Sequence, residues 1–309
     1  MPTRADVEAA ADRIAGRVRL TPIMQADAGV FAPAGRAWLK LEQVQHTGSF
    51  KVRGAFNRLL AAGELPPSGV VAASGGNHGL AVAYAARELG VRAEVYVPRT
   101  CPPVKVAKLR SLDAEVVQVG DIYSDAYEAA LKRVADTGAL LAHAYDQEEI
   151  CAGQGTLALE LLAQTGGVDT VMVAVGGGGL MAGIAAACEG LAKVVAVEPE
   201  NIPTLNAALA AGEPVRVPVS GVAADSLGAS RIGEIAYATA VRTGVRSILV
   251  SDEAIVDARR TLWNHRRLVV EHGTAAALAA LLSGVYVPRE GERLALIVCG
   301  ANTDPSDLV

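Results

Sequence analysis

Residues 171–188, VMVAVGGGGLMAGIAAAC, decide the fold class. A run of apolar, mostly β-branched residues is followed at once by four glycines and then by an alanine-rich segment. This order is typical of a buried strand, a tight loop and a helix, and the glycines would weaken a membrane-spanning helix at several positions. We therefore interpret the stretch as one strand–loop–helix unit.

The same alternation recurs on both sides of this unit. The predicted strands are Val70–Ala73, Ala93–Val97, Glu115–Val119, Val171–Val175, Val194–Val197 and Leu294–Val298. The predicted helices include Leu80–Leu89, Val104–Ser111, Ser124–Val134, one through Glu160, one from Met181, Asp252–Arg267 and Thr274–Leu282. Buried strands that alternate with helices predict an α/β fold with parallel twisted sheets flanked by helices. Ligands bind such sheets in the loops at the carboxyl ends of the strands.

Composition excludes several classes of protein. The 309 residues carry a formal net charge of -5 with acids and bases interspersed, so the chain lacks the basic patch of a nucleic-acid-binding protein. The segment from Met1 to Ile14 holds five charged residues, unlike a signal peptide. The four cysteines form neither a CxxC pair nor a zinc spacing. We expect a reduced, cytoplasmic protein that binds neither nucleic acid nor a membrane.

The first candidate site is residues 47–56, TGSFKVRGAF. Thr47 or Ser49 can cap a helix that begins near Phe50, which places Lys51 in the first turn. A cation opposes the helix dipole there, and the same field favours the neutral amine that condenses with an aldehyde or removes a proton. A solvated helix face does not need the neighbouring glycines, so we predict a reactive lysine rather than a surface one.

The second candidate site is residues 74–79, SGGNHG, between a predicted strand and a predicted helix. Consecutive glycines let the backbone approach a ligand, and the free N–H groups at a helix start bind anions. Ser74, Asn77 and His78 add polar side chains suited to a carboxylate or a phenolic oxygen. A tight turn capped by the asparagine explains the same residues equally well, so this loop alone leaves both interpretations open.

The third candidate site is the four-glycine loop. Consecutive amides at a helix N-terminus suit a phosphate. The loop lacks the Lys-Ser/Thr ending of a nucleotide P-loop, and its spacing differs from the dinucleotide fingerprint. A reactive lysine, a carboxylate cradle and a phosphate cradle together describe a site for pyridoxal phosphate.

These motifs, in this order, resemble those of the threonine and serine dehydratases, fold type II pyridoxal-phosphate enzymes of the tryptophan-synthase β-like group. The matching segments are Thr47–Ala55 (TGSFKxRGA), Ser74–Gly79 (SxGNH), Ala152–Thr156 (AGQGT), Gly176–Gly179 and the turn Cys299–Asn302. The resemblance runs nearly end to end. It implies a large cofactor-binding domain of residues 1–68 and 147–309, a small substrate-loop domain of residues 69–146, and a homodimer.

The resemblance also implies a role for each motif. Lys51, beside Phe50, holds pyridoxal 5'-phosphate as a Schiff base and then acts as the base at the substrate Cα. Asn77 binds the phenolic oxygen of the cofactor, and Cys299 faces its pyridine nitrogen. The substrate carboxylate is bound by Ser74, Gly75, Gly76, Asn77 and His78. The phosphate is bound by Gly176, Gly177, Gly178, Gly179 and the amide of Leu180.

A thiol at Cys299 has a chemical consequence. Unlike a carboxylate, it does not stabilise a protonated pyridinium, so the ring is a weaker electron sink. Prompt loss of a β-leaving group is then favoured over a long-lived carbanion. The expected reaction is β-elimination, in which an L-β-hydroxy amino acid such as L-threonine or L-serine yields a 2-oxo acid and ammonia. The structural alternative for Cys299 is a small buried apolar residue at a strand end.

Three positions depart from the pattern of the group. Serine racemases carry a serine acid/base where this chain has Gly75, so we expect little racemisation and more space for a bulky β-hydroxy acid. Many relatives bind a divalent cation through a glutamate, matched by Glu198, and a later aspartate, where this chain has Thr204, so we expect no metal. Residues 271–273, Glu-His-Gly, replace the common Glu-Pro.

Rival interpretations remain open. A sulfur-transferring β-replacement synthase shares the fold but usually has aspartate two residues after the lysine, where this chain has Arg53. An amino-acid racemase shares the fold as well. A non-catalytic module that binds a phosphate ligand could use the glycine loops, but it leaves Lys51 unexplained. A yellow absorption band separates the module from an enzyme, and oxo-acid formation without added thiol separates the lyase from the synthase.

Overall fold

Two sheets, each flanked by helices, organise the molecule. The structure is a computed structural model that describes residues 1–26 and 36–308. The strands in these ranges are β1 (Ile23–Ala26), β2 (Arg36–Leu41), β3 (Val70–Ala73), β4 (Ala93–Val97), β5 (Glu115–Gln118), β6 (Leu140–Leu141), β7 (Thr170–Ala174), β8 (Lys193–Pro199), β9 (Arg246–Val250) and β10 (Arg293–Val298). The helices there are α1 (Arg4–Ile14), α2 (Lys51–Ala61), α3 (Asn77–Glu88), α4 (Pro103–Arg110), α5 (Tyr123–Thr137), α6 (Glu148–Thr165), α7 (Gly179–Cys188), α8 (Thr204–Ala211), α9 (Ala224–Leu227), α10 (Glu234–Thr243), α11 (Asp252–Arg266) and α12 (His272–Leu282).

The larger sheet has the strand order β1-β2-β10-β7-β8-β9. Its neighbouring strands run parallel, except that β1 pairs antiparallel with β2. Nine residues separate β1 from β2, too few for the crossover that a parallel pair needs. Every residue of β7 is buried, as expected for a strand covered by helices on both faces.

The smaller sheet has the order β5-β4-β3-β6, with all pairs parallel. Side chains along β3 alternate between two apolar clusters, because successive residues of a strand face opposite sides. Val71 and Ala73 belong to the cluster that includes Ala126 of α5. Val70 and Ala72 belong to the one that includes Ala81 of α3. The predicted α/β class is therefore confirmed.

Helices α6 and α7 pack backbone to backbone. A Cβ on Gly155 of α6 would lie 2.5 Å from the carbonyl oxygen of Gly183 in α7, so a larger residue does not fit at this helix spacing. Gly155 belongs to the AGQGT segment of the sequence. In this structure the segment lies within α6 and allows α7, the helix that follows the four-glycine loop, to approach closely.

Helices α3 and α7 start earlier than predicted. α3 begins at Asn77 rather than Leu80, and α7 begins at Gly179 rather than Met181. In both places, residues of the glycine-rich motif form the first helical turn. The sequence did not predict this turn because glycine is a poor helix former. By contrast, β3 and β4 have the predicted bounds.

The predicted division into two domains stays a prediction. All four strands of the smaller sheet fall within residues 69–146. Residues 27–35 of the predicted large domain lie outside the described residues.

Among the described residues, no helix combines the length and the apolar character needed to cross a membrane.

Candidate active site

The amine of Lys51 lies where segments from both sheets meet. Its Nζ donates to the carbonyl oxygen of Ala144, 2.7 Å away, in the segment after β6. Burial lowers the pKa of Lys51 to about 8, although the negative charge of Glu271 acts in the opposite direction. The side chain keeps partial exposure. More of this amine is neutral at physiological pH than of an ordinary lysine, as condensation with an aldehyde requires.

The predicted cap of α2 is wrong. The N-cap residue is Phe50, and no side chain accepts a hydrogen bond at this end of the helix. The hydroxyl oxygens of Thr47 and Ser49 are buried, and neither has a hydrogen-bond partner among the described residues. Thr47 instead adopts a positive φ of 61°, which leads the chain into a tight turn before Lys51.

This turn is fastened to the segment that follows β10. The amide of Phe50 donates to the carbonyl of Cys299 at 3.1 Å, and the amide of Ala301 donates to the carbonyl of Gly48 at 3.0 Å. Asn302 adds a side-chain bond from Nδ2 to the carbonyl of Thr47 at 2.7 Å. The lysine motif and the Cys-Gly-x-Asn turn, separated by about 250 residues, therefore form one unit.

The loop after β3 carries the predicted substrate residues. Ser74 Oγ accepts a hydrogen bond from the amide of Gly76 at 3.2 Å. A Cβ on Gly79 would lie 2.0 Å from the carbonyl oxygen of Ser74, so the loop requires glycine there. The loop ends in the first turn of α3, which leaves N–H groups without helical acceptors.

The side chain of His78 bonds to the protein backbone and does not offer a donor to a ligand at this loop. Its side chain is buried, and Nε2 lies 2.8 Å from the carbonyl oxygen of Ala142. Burial, with the charge of Lys51, lowers the pKa of His78 to about 3. The ring is therefore neutral, and its one proton serves the carbonyl of Ala142. Nδ1 is buried without a partner among the described residues and can only accept.

Asn77 joins a polar cluster that the sequence motifs did not identify. Its Nδ2 donates to Glu271 Oε1 at 2.8 Å and Oε2 at 3.0 Å, and its Oδ1 accepts from Asn302 Nδ2 at 2.6 Å. The amide of Asn302 also donates to Glu271 Oε1 at 3.1 Å. Burial raises the pKa of Glu271 to about 7, against the hydrogen bonds from Asn77 and Asn302. The sole signal in the sequence was the unusual Glu-His-Gly at residues 271–273.

The four-glycine loop follows β7 and enters α7. Gly178 has a φ of 88°, which glycine adopts without strain. A Cβ on Gly177 would lie 2.3 Å from the ring of Tyr145, and one on Gly179 would lie 2.6 Å from the carbonyl oxygen of Tyr145. The backbone at Gly177 and Gly179 therefore packs closely against Tyr145. The N–H groups at the start of α7 have no acceptor inside the helix, which makes this end suitable for an anion.

Cys299 is a buried, neutral thiol at the end of β10. Its Sγ lies 3.1 Å from Thr274 Oγ1, and Thr274 in turn donates to the carbonyl of Gly300 at 2.9 Å. Burial raises the pKa of Cys299 to about 12. The side chain therefore brings no negative charge to the site at neutral pH.

Glu198 serves as an acceptor for the start of α8. Its carboxylate accepts from the amides of Leu205 and Asn206 at 2.7 and 2.9 Å. The hydroxyls of Ser247 and Thr204 add bonds of 2.7 and 3.2 Å. No group of three or more His, Cys, Asp or Glu side chains that could hold a metal occurs in the part of the chain that the structure describes.

Comparison with known proteins identifies a family. The profile of the pyridoxal-phosphate dependent enzymes matches residues 14–300. The chain is 35% identical over 308 residues to the L-threonine ammonia-lyase of Thermotoga maritima, covering 98% of this chain and 76% of that protein. It is 36% identical over 291 residues to the phenylserine dehydratase of Ralstonia pickettii, covering 93% and 89%.

Solved structures agree with these relatives. The threonine deaminase of T.th. superposes with a TM-score of 0.91 at 37% identity, over 98% of this chain and 99% of the other. The serine racemase of Dictyostelium discoideum superposes with a TM-score of 0.91 at 29% identity, over 98% and 99%. The fold is thus that of both lyases and racemases.

The residues of the site fit pyridoxal 5'-phosphate. Lys51 offers an amine of lowered pKa to the aldehyde, and the start of α7 offers free amides to the phosphate. Cys299 is a neutral neighbour for the pyridine ring. Ser49, beside them, has a buried hydroxyl without a protein partner among the described residues. A carbonyl-bearing, phosphorylated ligand suits each of these groups.

Proposed function

Because the chain belongs to the family of pyridoxal-phosphate dependent enzymes, with pyridoxal 5'-phosphate as its cofactor, we propose that it catalyses β-elimination of an L-β-hydroxy amino acid such as L-threonine or L-serine. The substrate loses water, and the released enamine hydrolyses to a 2-oxo acid and ammonia. The chain is an enzyme of the dehydratase-like ammonia-lyase group, which removes the non-catalytic binding module from the alternatives.

The position of Lys51 carries this proposal. Its amine has a pKa lowered to about 8 and is partly exposed. Its Nζ donates to the carbonyl of Ala144, the neighbour of Tyr145, which lies against Gly177 and Gly179. Its charge also acts on His78 at the end of the loop after β3. A lysine there can hold the cofactor and then accept a proton from the substrate Cα, which are the two tasks that an elimination requires.

The other residues bind and orient. The bound cofactor supplies an electron sink for the bond that breaks at Cα. We assign the substrate carboxylate to the loop of Ser74, Gly75, Gly76 and Asn77, and the phosphate to the amides of Gly176–Leu180. Asn77 stays the proposed partner of the phenolic oxygen, and its amide is oriented by Glu271.

Two residues favour elimination over its alternatives. Gly75 has no side chain to act as an acid or base, which disfavours racemisation. Arg53, two residues after the lysine, forms ion pairs with the buried Glu42 and the partly buried Glu160. It stands where β-replacement synthases usually have an aspartate, which favours a lyase over such a synthase.

The test is an oxo-acid assay on the holoenzyme without added thiol. The panel contains L-threonine, L-serine and L-phenylserine, the last because a relative is named phenylserine dehydratase. Equal amounts of 2-oxo acid and ammonia are expected, with no activity in Lys51→Ala. Product that forms only with an added thiol would favour the synthase. Chiral analysis is expected to show negligible D-isomer, and D-serine formed as fast as oxo acid would instead assign a racemase.

We further propose a cytoplasmic homodimer. The four cysteines are free thiols, as in a reducing compartment. Light scattering of the purified holoenzyme and fractionation of the source cells test these two assignments separately. A monomer, or enzyme recovered outside the cytoplasm, would refute the corresponding one.

A further inference from the structure

The thiol of Cys101 fills the space that a side chain on Gly75 of the substrate loop would occupy. A Cβ built on Gly75 would lie 2.7 Å from Sγ of Cys101, closer than real Cβ atoms come to other heavy atoms, and 3.6 Å from Cγ1 of Val97. The φ angle of Gly75 lies outside the left-handed region, so its backbone does not call for glycine. Packing against the thiol, rather than conformation, explains the missing side chain.

The smaller sheet sets the position of Cys101. β3 and β4 are adjacent parallel strands, with Ala73 opposite Tyr96, so the loops that follow them lie side by side. The amide of Cys101 donates to the carbonyl of Pro98 at 3.0 Å, and α4 begins two residues later at Pro103. A turn and a helix start therefore fix the backbone of Cys101, and its short side chain has a single torsion with which to move Sγ.

Cys101 also differs from the other cysteines. It is partly exposed, whereas Cys151, Cys188 and Cys299 are buried. No hydrogen bond from the described residues engages its thiol, although nearby residues of the substrate loop are bonded among themselves. Burial raises the pKa of Cys101, so the thiol is a small uncharged group at neutral pH.

We propose that Cys101 is a positioning residue for the substrate loop, coupled to residue 75 by direct contact, so that the loop accepts a side chain at residue 75 only when residue 101 is shortened. The inference rests on the proposed function, because Gly75 belongs to the loop assigned to the substrate carboxylate. It corrects one expectation from the sequence. Gly75 does not leave extra space on the side of its Cβ, because the thiol of Cys101 fills it.

A double-mutant cycle tests the coupling. Gly75→Ser alone is expected to lower kcat/KM for oxo-acid formation roughly tenfold or more, because overpacking displaces the loop. Gly75→Ser with Cys101→Ala is expected to recover most of that loss, so the two changes are non-additive. Cys101→Ser retains a similar volume and should rescue less than Cys101→Ala. Effects that combine additively to within about twofold would overturn the inference.

Gly76→Ser is the matched control. A Cβ on Gly76 meets no heavy atom within 4 Å, so its effect should be the same with and without Cys101→Ala. If Cys101→Ala rescued Gly76→Ser as well as it rescued Gly75→Ser, it would relax the loop generally. That result would contradict a specific contact between residues 75 and 101.

The thermal unfolding of the apoprotein separates this inference from the proposed function. Gly75→Ser should lower the midpoint and Cys101→Ala should restore it, whatever reaction the enzyme catalyses. If no β-hydroxy amino acid yields an oxo acid, the proposed function is wrong. The unfolding midpoints of the single and double variants still show whether residues 75 and 101 are coupled. An additive unfolding cycle would refute the contact even if the lyase activity were established.

Discussion

Arg53 and Glu42 form an ion pair in which neither side chain has any exposed surface. Nε and Nη2 of Arg53 each donate to one carboxylate oxygen of Glu42, both at 2.8 Å. Nη1 donates to Glu160 at 2.7 Å, and Lys40, also buried, donates to the other oxygen of Glu160 at 2.6 Å. Arg53 lies one half-turn beyond Lys51, so this network anchors the helix that begins with the reactive lysine.

Arg53→Ala is expected to lower the free energy of unfolding by about 3–5 kcal/mol, because it leaves Glu42 buried without its counter-charge. Denaturant unfolding of the apoprotein measures this. Arg87→Ala is the control, because Arg87 pairs with Glu88 at 3.4 Å with both side chains exposed, and such a pair contributes at most about 1 kcal/mol. Equal losses in the two variants would contradict the anchoring role.

Borohydride reduction of the holoenzyme is expected to fix the cofactor on Lys51, because an imine becomes a stable secondary amine. Peptide mapping identifies the labelled residue. Lys40 is the informative competitor, since it is also buried but is paired with Glu160. A label on Lys40, or on Lys105, Lys108 or Lys193, would refute the assignment, and Lys51→Ala should remove the label.

Glu271→Gln should change how stability depends on pH. The native pKa of Glu271 is raised to about 7 from 4.5, so between these values the native state binds more protons than the unfolded state. Stability from this group is therefore fully present below pH 4.5 and is lost as pH rises through 7. The loss is at most about 3.5 kcal/mol, at roughly 1.4 kcal/mol per pKa unit.

The measurement is the difference in unfolding free energy between wild-type and Glu271→Gln apoprotein across this pH range. The difference should fall from pH 4.5 to 7 and then level off. Glu290→Gln, at an exposed glutamate, is the control. A difference that is flat across the range would show that Glu271 titrates normally.

Gly177→Ala is expected to weaken cofactor binding at least tenfold, because its Cβ would overlap the ring of Tyr145 and displace the backbone amides. Titration of the apoprotein with pyridoxal phosphate, followed by absorbance, gives the Kd. Gly76→Ala is the control, since its Cβ meets nothing within 4 Å. Unchanged affinity in Gly177→Ala would argue against the phosphate role of this loop.

Removal of divalent cations by a chelator is expected to change activity and thermal stability little. Glu198 accepts from three donors at the start of α8 and from Ser247 of β9. Thr204 offers a neutral oxygen where a carboxylate would strengthen a cation site. Activity and the midpoint of thermal unfolding are measured with a chelator and with added magnesium or calcium. Strong inactivation by the chelator, reversed by the ion, would show that other residues supply a metal site.

The sequence predicted the parts of the site that are local in the chain. Strand–loop–helix units such as residues 171–188 reveal themselves through glycine and apolar runs, because both backbone freedom and burial act over a few residues. The partners of these loops could not be predicted in this way. Glu271 contacts Asn77 across 194 residues. Cys101 lies beside Gly75 although α3 and β4 separate the two residues in the chain. The capping prediction failed because tertiary bonds to residues 299–302 hold the turn before α2 and leave the hydroxyls of Thr47 and Ser49 unused.

The hydrogen bonds between residues 47–50 and residues 299–302 can form only after residues 299–302 have been synthesised. A nascent chain that has emerged as far as residue 290 already contains the lysine and both glycine loops. It lacks β10, which is the central partner of β2 and β7, and it lacks the carbonyl of Cys299 that receives the amide of Phe50. Lys51 therefore gains its fixed setting only after residues 299–302 have been synthesised and have paired with residues 47–50.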